Sequence, residues 1–161
     1  MNSPGSSPEL HFREVSAADL EEILLHRRQM FHDMGHKDPA VLAAIVHSSR
    51  AFVERSLADG SYRGWFALTS AERVAAGVGL LITPWVSGPP APEQAYRAYL
   101  LNVYTYPEFR KRGLARGLTQ KAIDYCREHG HKLLWLHASQ YGRSLYESLG
   151  FEATNEMKLI L

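Results

Sequence analysis

The sequence predicts an α/β protein built on a mixed central β-sheet flanked by helices. Three observations carry that reading. Two amphipathic helical patterns stand early, before residue 60. The period then changes at Tyr62, where paired strand-like runs begin. Beyond them a strand, a basic glycine-bearing turn and a helix follow one another, and the chain returns to a strand. With 161 residues, one domain over residues 9–161 is expected.

Each element has a local reason. Leu10–Val15 alternates as a strand does. Ser16 offers an N-cap, with Asp19 three residues on as a capping-box variant. Leu20, Ile23, Leu24, Arg27, Met30, Phe31 and Met34 recur every three or four residues, which marks a helix that Gly35 can stop. Asp38-Pro39 pairs a cap with proline at the first helical position. Val41, Leu42, Ile45, Val46, Phe52, Val53 and Leu57 form that second helix's apolar stripe, and Gly60 ends it. Tyr62–Thr69 and Val74–Trp85 read as an antiparallel hairpin. Gly77 and Gly79 inside it indicate a bulge or a close approach of other groups. Ser87–Pro92 is a loop. Tyr96–Thr105 is apolar on both faces, hence a central strand. Leu114, Leu118, Ala122 and Cys126 lie on one face of the next helix, which ends near His129-Gly130. Lys132–Ala138 reads as a buried strand, Gly142–Leu149 as a short helix, and Phe151–Leu161 as a last strand or hairpin.

Composition narrows the function classes. The chain is 45% hydrophobic and 22% charged, so a sizeable core is expected rather than disorder. A net charge of +1 gives no sign of a dedicated nucleic-acid binder. The single cysteine, Cys126, excludes a disulfide framework within one chain and fits a reducing compartment. Met1–Pro8 is rich in Ser, Pro and Gly, and reads as a frayed tail rather than a signal peptide. No apolar run approaches the ~18 residues of a membrane span. The expectation is a cytoplasmic protein with no membrane or nucleic-acid partner.

The chemistry-bearing stretch is Arg110-Lys111-Arg112-Gly113-Leu114-Ala115-Arg116-Gly117. The first N–H groups of a helix lack partners and carry partial positive charge, so this turn suits phosphate. Four cations at a helix N-terminus oppose the dipole unless they face an anion. The turn has no Gly-Lys-Ser/Thr, so it is not a Walker A loop. It also lacks Gly-x-Gly-x-x-Gly.

Arg110-x-x-Gly113-x-Ala115 resembles the Arg/Gln-x-x-Gly-x-Gly/Ala signature of the GNAT N-acetyltransferase superfamily. Ser144-Leu145-Tyr146-Glu147-Ser148-Leu149-Gly150-Phe151 is similar to that family's Leu-Tyr-Glu-x-x-Gly-Phe run. The two stand in the family's order, and the close resemblance covers about Tyr99–Phe151. It implies splayed central parallel strands at the cofactor site and acetyl-CoA as donor. It implies backbone N–H groups of Lys111, Arg112, Gly113, Leu114, Ala115 and Arg116 on the pyrophosphate. It also implies Val103, Tyr104 and Thr105 along the pantetheine arm, and Tyr146 as general acid toward the departing thiolate. Ser139 stands where many members carry a cofactor-binding Asn; it keeps one hydrogen-bond donor with shorter reach.

The base is less defined. The strand before Tyr146 holds Leu133, Leu134, Trp135 and Leu136, with no carboxylate. His137 is the nearest titratable candidate, and Asn102 can position a water. A water chain leading the proton to solvent is an equal alternative. Phe31–Asp38 carries two His and two Asp, but in one stretch without distant ligands, so no metal is expected. Asp33 or Asp38 can attract an ammonium or serve as a cap. Trp65, Trp85, Tyr62 and Tyr104 are candidate aromatic walls or ordinary core. The acceptor class implied is a primary amine, on a small molecule, peptide or protein. Homodimers are common in the family, and no interface signal stands in this sequence. The rival readings are a non-catalytic acyl-CoA-binding module or sensor, favoured by the missing carboxylate, and a nucleic-acid binder using the basic turn.

Overall fold

The computed structural model describes residues 10–161. The tail expected over Met1–Pro8 lies outside the described residues. The elements are β1 (Leu10–Glu14), α1 (Leu20–Asp33), α2 (Pro39–Asp59), β2 (Tyr62–Thr69), β3 (Val74–Pro84), β4 (Tyr96–Thr105), α3 (Leu114–Glu128), β5 (Leu134–Leu136) and α4 (Arg143–Ser148). The strands lie in sequence order in one sheet. The first three pairings are antiparallel and β4–β5 is parallel. The sheet is therefore mixed and flanked by helices.

Local chemistry sets the boundaries. Ser16 and Asp19 form a reciprocal capping box ahead of α1. Asp38 accepts the Ala40 N–H at 2.8 Å, with Pro39 opening α2. Gly60 ends α2 at φ +78°, a conformation that favours glycine. Two apolar clusters fill the two sides of the sheet. One gathers Ile23, Leu24, Val53, Tyr62, Phe66 and Leu68 under α1 and α2. The other gathers Leu80, Ala98, Leu100, Leu114, Leu118, Ala122, Cys126 and Tyr146 under α3 and α4.

The irregularity that shapes the site lies in β4. Gly77 faces Tyr104 and Gly79 faces Leu101, so Val78 alone stands opposite Asn102 and Val103. The extra residue is on β4, while the two glycines admit neighbouring side chains. A Cβ at Gly77 would sit 2.7 Å from His26 Nδ1, and one at Gly79 would overlap the Tyr62 hydroxyl. Asn102 takes φ +51°, which Asn tolerates better than most residues. The bulge shifts side-chain parity: Leu100 and Val103 both pack on the α3 side, whereas Leu101 packs on the α1 side.

Pairing of β4 with β5 runs only from Ala98↔Leu134 to Leu100↔Leu136. Beyond Leu100 no described residue pairs with the β5-facing edge of β4, which is the expected parting of central parallel strands. Two sequence expectations need correction. The strand expected over Lys132–Ala138 is three residues long and half-buried rather than buried. The last strand expected over Phe151–Leu161 does not form. Its apolar residues Met157, Leu159, Ile160 and Leu161 are exposed, and a three-residue β5 offers too short a ladder to recruit them.

Candidate active site

The turn between β4 and α3 leaves a run of backbone donors without partners among the described residues. Lys111 and Gly113 take φ +62° and +76°, so the chain turns tightly before the helix. The first backbone bond after the turn is Gly117 N–H to the Gly113 carbonyl, at 3.0 Å. Among the described residues, no backbone or side-chain acceptor takes the N–H groups from Lys111 to Arg116. Six consecutive donors at the start of a 15-residue helix are therefore left without a partner among the described residues.

The cations divide. Arg110 turns away: Nε donates to the Thr105 carbonyl at 3.0 Å and the guanidinium pairs with Asp33. Arg116 reaches Ser148 of α4. Arg112 folds over the Phe109 ring, 5.5 Å from its centroid, and touches the Glu108 carbonyl at 3.3 Å. Lys111 is exposed.

Val103, Tyr104 and Thr105 form the open edge of β4. The Val103 side chain packs against the α3 cluster, and Tyr104 is buried against His26 on the α1 side. Ligands at this edge would meet backbone. Tyr146 sits in the same cluster as Leu114, Val103 and Leu136. Its ring crosses Phe151 at 72° with centroids 5.8 Å apart. Gly142 is what admits the ring, since a Cβ there would lie 2.8 Å from Tyr146 Cε2. No described residue hydrogen-bonds its hydroxyl, and burial pushes the phenol up to about 12. Ser139 braces the turn before α4: its Oγ accepts the Gly142 N–H at 3.2 Å, leaving its own O–H free to donate.

His137 follows β5 directly and is exposed. Its Nδ1 hydrogen-bonds the Tyr99 hydroxyl. Burial raises the Tyr99 phenol, against a lowering by Arg97. Asn102 is almost fully buried: Oδ1 accepts Arg27 Nη1 at 3.0 Å and Nδ2 donates to the Tyr62 hydroxyl at 3.3 Å. Asp38 is the α2 cap and Asp33 the partner of Arg110, so both carboxylates of that loop are engaged.

A model described as the acetyltransferase (GNAT) family matches residues 24–151. The chain belongs to the GNAT acetyltransferase family. A GCN5-related N-acetyltransferase structure from Ralstonia eutropha JMP134 superposes with TM-score 0.89 at 35% identity, covering 95% of this chain and 99% of that one. A predicted acetyltransferase with acetyl-CoA from Clostridium acetobutylicum gives 0.82 at 19% identity, covering 95% and 96%. An aminoglycoside N-acetyltransferase in complex with CoA gives 0.67 at 18%, covering 99% and 98%. The latter two speak for the fold alone. No curated protein sequence matches. This GNAT chain is thus an acyltransferase, and no described helix is long and apolar enough to cross a membrane.

Sequence reasoning missed three groups. Tyr99 is paired with Trp135 across the parallel ladder and joins His137; only the register of β5 places it there. Arg97 is ringed by aromatic residues. His26 is buried among Phe66, Tyr104 and Tyr106. Its Nε2 lies 3.2 Å from Glu22 Oε1, off the line of a good hydrogen bond, and Tyr106 donates to the same oxygen at 2.8 Å. The two-residue spacing of Gly77 and Gly79 was the available signal for His26 and Tyr62, whose side chains fill the space left by the missing Cβ atoms.

Proposed function

We propose that this enzyme moves the acetyl group of acetyl-CoA to a primary amine by direct attack in a ternary complex. The observation that carries this reading is the run of six N–H groups, Lys111–Arg116, without partners among the described residues, next to the unpaired end of β4. A pyrophosphate satisfies those donors, and a pantetheine arm can pair with the exposed strand edge as an added strand does. The acetyl-CoA and CoA bound by two proteins of the same fold support the choice of cofactor.

In the proposed reaction the neutral amine attacks the thioester carbonyl, a C–N bond forms, and the C–S bond breaks. Tyr146 donates a hydrogen bond to the departing sulfur. His137 takes the proton that the amine loses, directly or through the Tyr99 hydroxyl. Asn102 contributes mainly through its backbone: its left-handed conformation creates the bulge next to the open edge. Ser139 retains a hydroxyl proton for the cofactor. The second reading, a sensor that binds acyl-CoA without turnover, rests on the lack of a carboxylate on β5.

The test is thiol release measured with acetyl-CoA and a panel of amino acids, polyamines, aminoglycosides and peptides. Release that requires both acetyl-CoA and an amine, and that falls in His137→Ala, supports the transfer. Micromolar acetyl-CoA binding with no release on any amine class favours the sensor.

A further inference from the structure

Arg97 forms a built anion site on the strand that carries Tyr99. It lies two residues before Tyr99 and so on the same face of β4. Its guanidinium carbon is 4.2 Å from the Trp135 ring centroid, 5.2 Å from that of Trp85 and 5.5 Å from that of Tyr99. The side chain is only 12% exposed, and its Nε is buried without a partner. Arginine does not deprotonate, so a cation this enclosed calls for an anion. Among the described residues that anion is Glu156.

The two partners differ in how firmly they are held. Arg97 projects from a central strand into three aromatic rings. Glu156 belongs to a segment, residues 152–161, that is exposed throughout and forms no helix or strand. None of its backbone groups bonds to the body of the protein among the described contacts. A rigid cation is therefore met by a carboxylate on a displaceable segment. Trp85, Arg97, Trp135 and Glu156 also line a cleft of about 250 Å³, open to a small molecule.

We propose that the acceptor is an amine that also carries a carboxylate, an amino acid being the simplest case, and that its carboxylate replaces Glu156 on Arg97. The proposal rests on the transfer reading above. The spacing suits it. An α-amine lies about 2.5 Å from its carboxylate carbon. An acid held on Arg97 would thus keep its nitrogen within a few ångströms of the Tyr99 ring, 5.5 Å from the guanidinium carbon, and the Tyr99 hydroxyl is bonded to His137. Glu156 acts as an internal competitor for the same site.

The experiment compares L-amino acids with their carboxamides as acceptors. The amide's amine is the less basic, so deprotonation alone favours the amide, and a preference for the acid has to come from binding. The expected wild-type preference in kcat/KM is about 10- to 150-fold for the acid, the range of a hydrogen bond to a charged group. Arg97→Gln should raise KM for the acid by a similar factor and leave the amide unchanged. Glu156→Gln, in the exposed segment, should lower KM for the acid several-fold. Equal use of acid and amide by the wild type, or equal loss on both in Arg97→Gln, overturns the proposal. A second readout needs no turnover: N-acetylglycine should change the emission of Trp85 and Trp135 saturably, and Arg97→Gln should abolish the change. Saturable binding without acetylation of any amine keeps the anion site and removes the transfer reading. Acetylation of amines without carboxylate preference or saturable binding removes this proposal and keeps the transfer.

Discussion

Replacing Tyr146 with phenylalanine removes one oxygen and keeps the ring that packs against Phe151 and Gly142. Because no described residue bonds that hydroxyl, the fold should lose almost nothing, and the melting temperature should stay within a degree or two. The effect on rate follows from acidity. Burial holds the phenol up to about 12, whereas a thiol ionises near ~8.5. Full proton transfer to the leaving sulfur is then uphill by about 5 kcal/mol, at 1.36 kcal/mol per pKa unit. The phenol is thus better suited to give a hydrogen bond to the developing thiolate than to surrender its proton. A hydrogen bond to a charged partner contributes about 1.5–3 kcal/mol, so kcat should fall by roughly 10- to 150-fold. The assay is thiol release at saturating acetyl-CoA and amine, with calorimetric affinity for acetyl-CoA measured alongside. The account expects a lower kcat with unchanged affinity. An unchanged kcat refutes the role of the hydroxyl. A loss beyond ~10⁴-fold would mean complete proton transfer, and so would refute the acidity argument.

Other substitutions separate the cradle from the chemistry. Arg112→Ala should weaken acetyl-CoA several-fold, since an exposed charge contributes about 0.2–1 kcal/mol, with kcat little changed and the effect shrinking at high salt in calorimetry. Gly142→Ala should do the reverse, displacing the Tyr146 ring and lowering kcat at least as much as Tyr146→Phe while acetyl-CoA affinity is kept. Alkali should destabilise the fold. The Tyr62 and Tyr146 phenols are both raised to about 12 by burial, so the folded chain holds these protons longer than the unfolded one. Their contribution is full below pH ~10 and is lost as pH rises toward 12, by roughly 3 kcal/mol per phenol. Denaturant melts at pH 8 and 11 check this, and Tyr62→Phe should flatten the pH dependence; an identical slope in the variant would contradict it.

Much of the architecture was legible because it rests on local signals. Ser16-Asp19, Asp38-Pro39 and Gly60 place helix ends through backbone chemistry that acts within four residues. β2, β3 and β4 were legible from their apolar runs. The run of unpartnered donors from Lys111 to Arg116 was legible for the same reason: one turn contains all six. What the sequence concealed depends on register between distant segments. The bulge at Asn102 reverses side-chain parity along β4, so no two-residue count through Tyr99–Thr105 predicts which residues share a face. The Tyr99–His137 pair needs the parallel alignment of β4 with β5, and the Arg97 site needs Trp85, Trp135 and Glu156 brought from three other segments. Phe151–Leu161 misled because its alternation is strand-like, while strand formation also requires an edge to pair with.

The central claim is that the Lys111–Arg116 N–H groups hold the cofactor's phosphates and the open edge of β4 holds its arm. Backbone amide NMR of the full chain, titrated with acetyl-CoA and separately with 3′-phospho-ADP, tests it most directly. The account predicts that both ligands shift the amides of Lys111–Arg116, and that only acetyl-CoA also shifts Val103–Thr105. Saturable binding that leaves Lys111–Arg116 unmoved would contradict it.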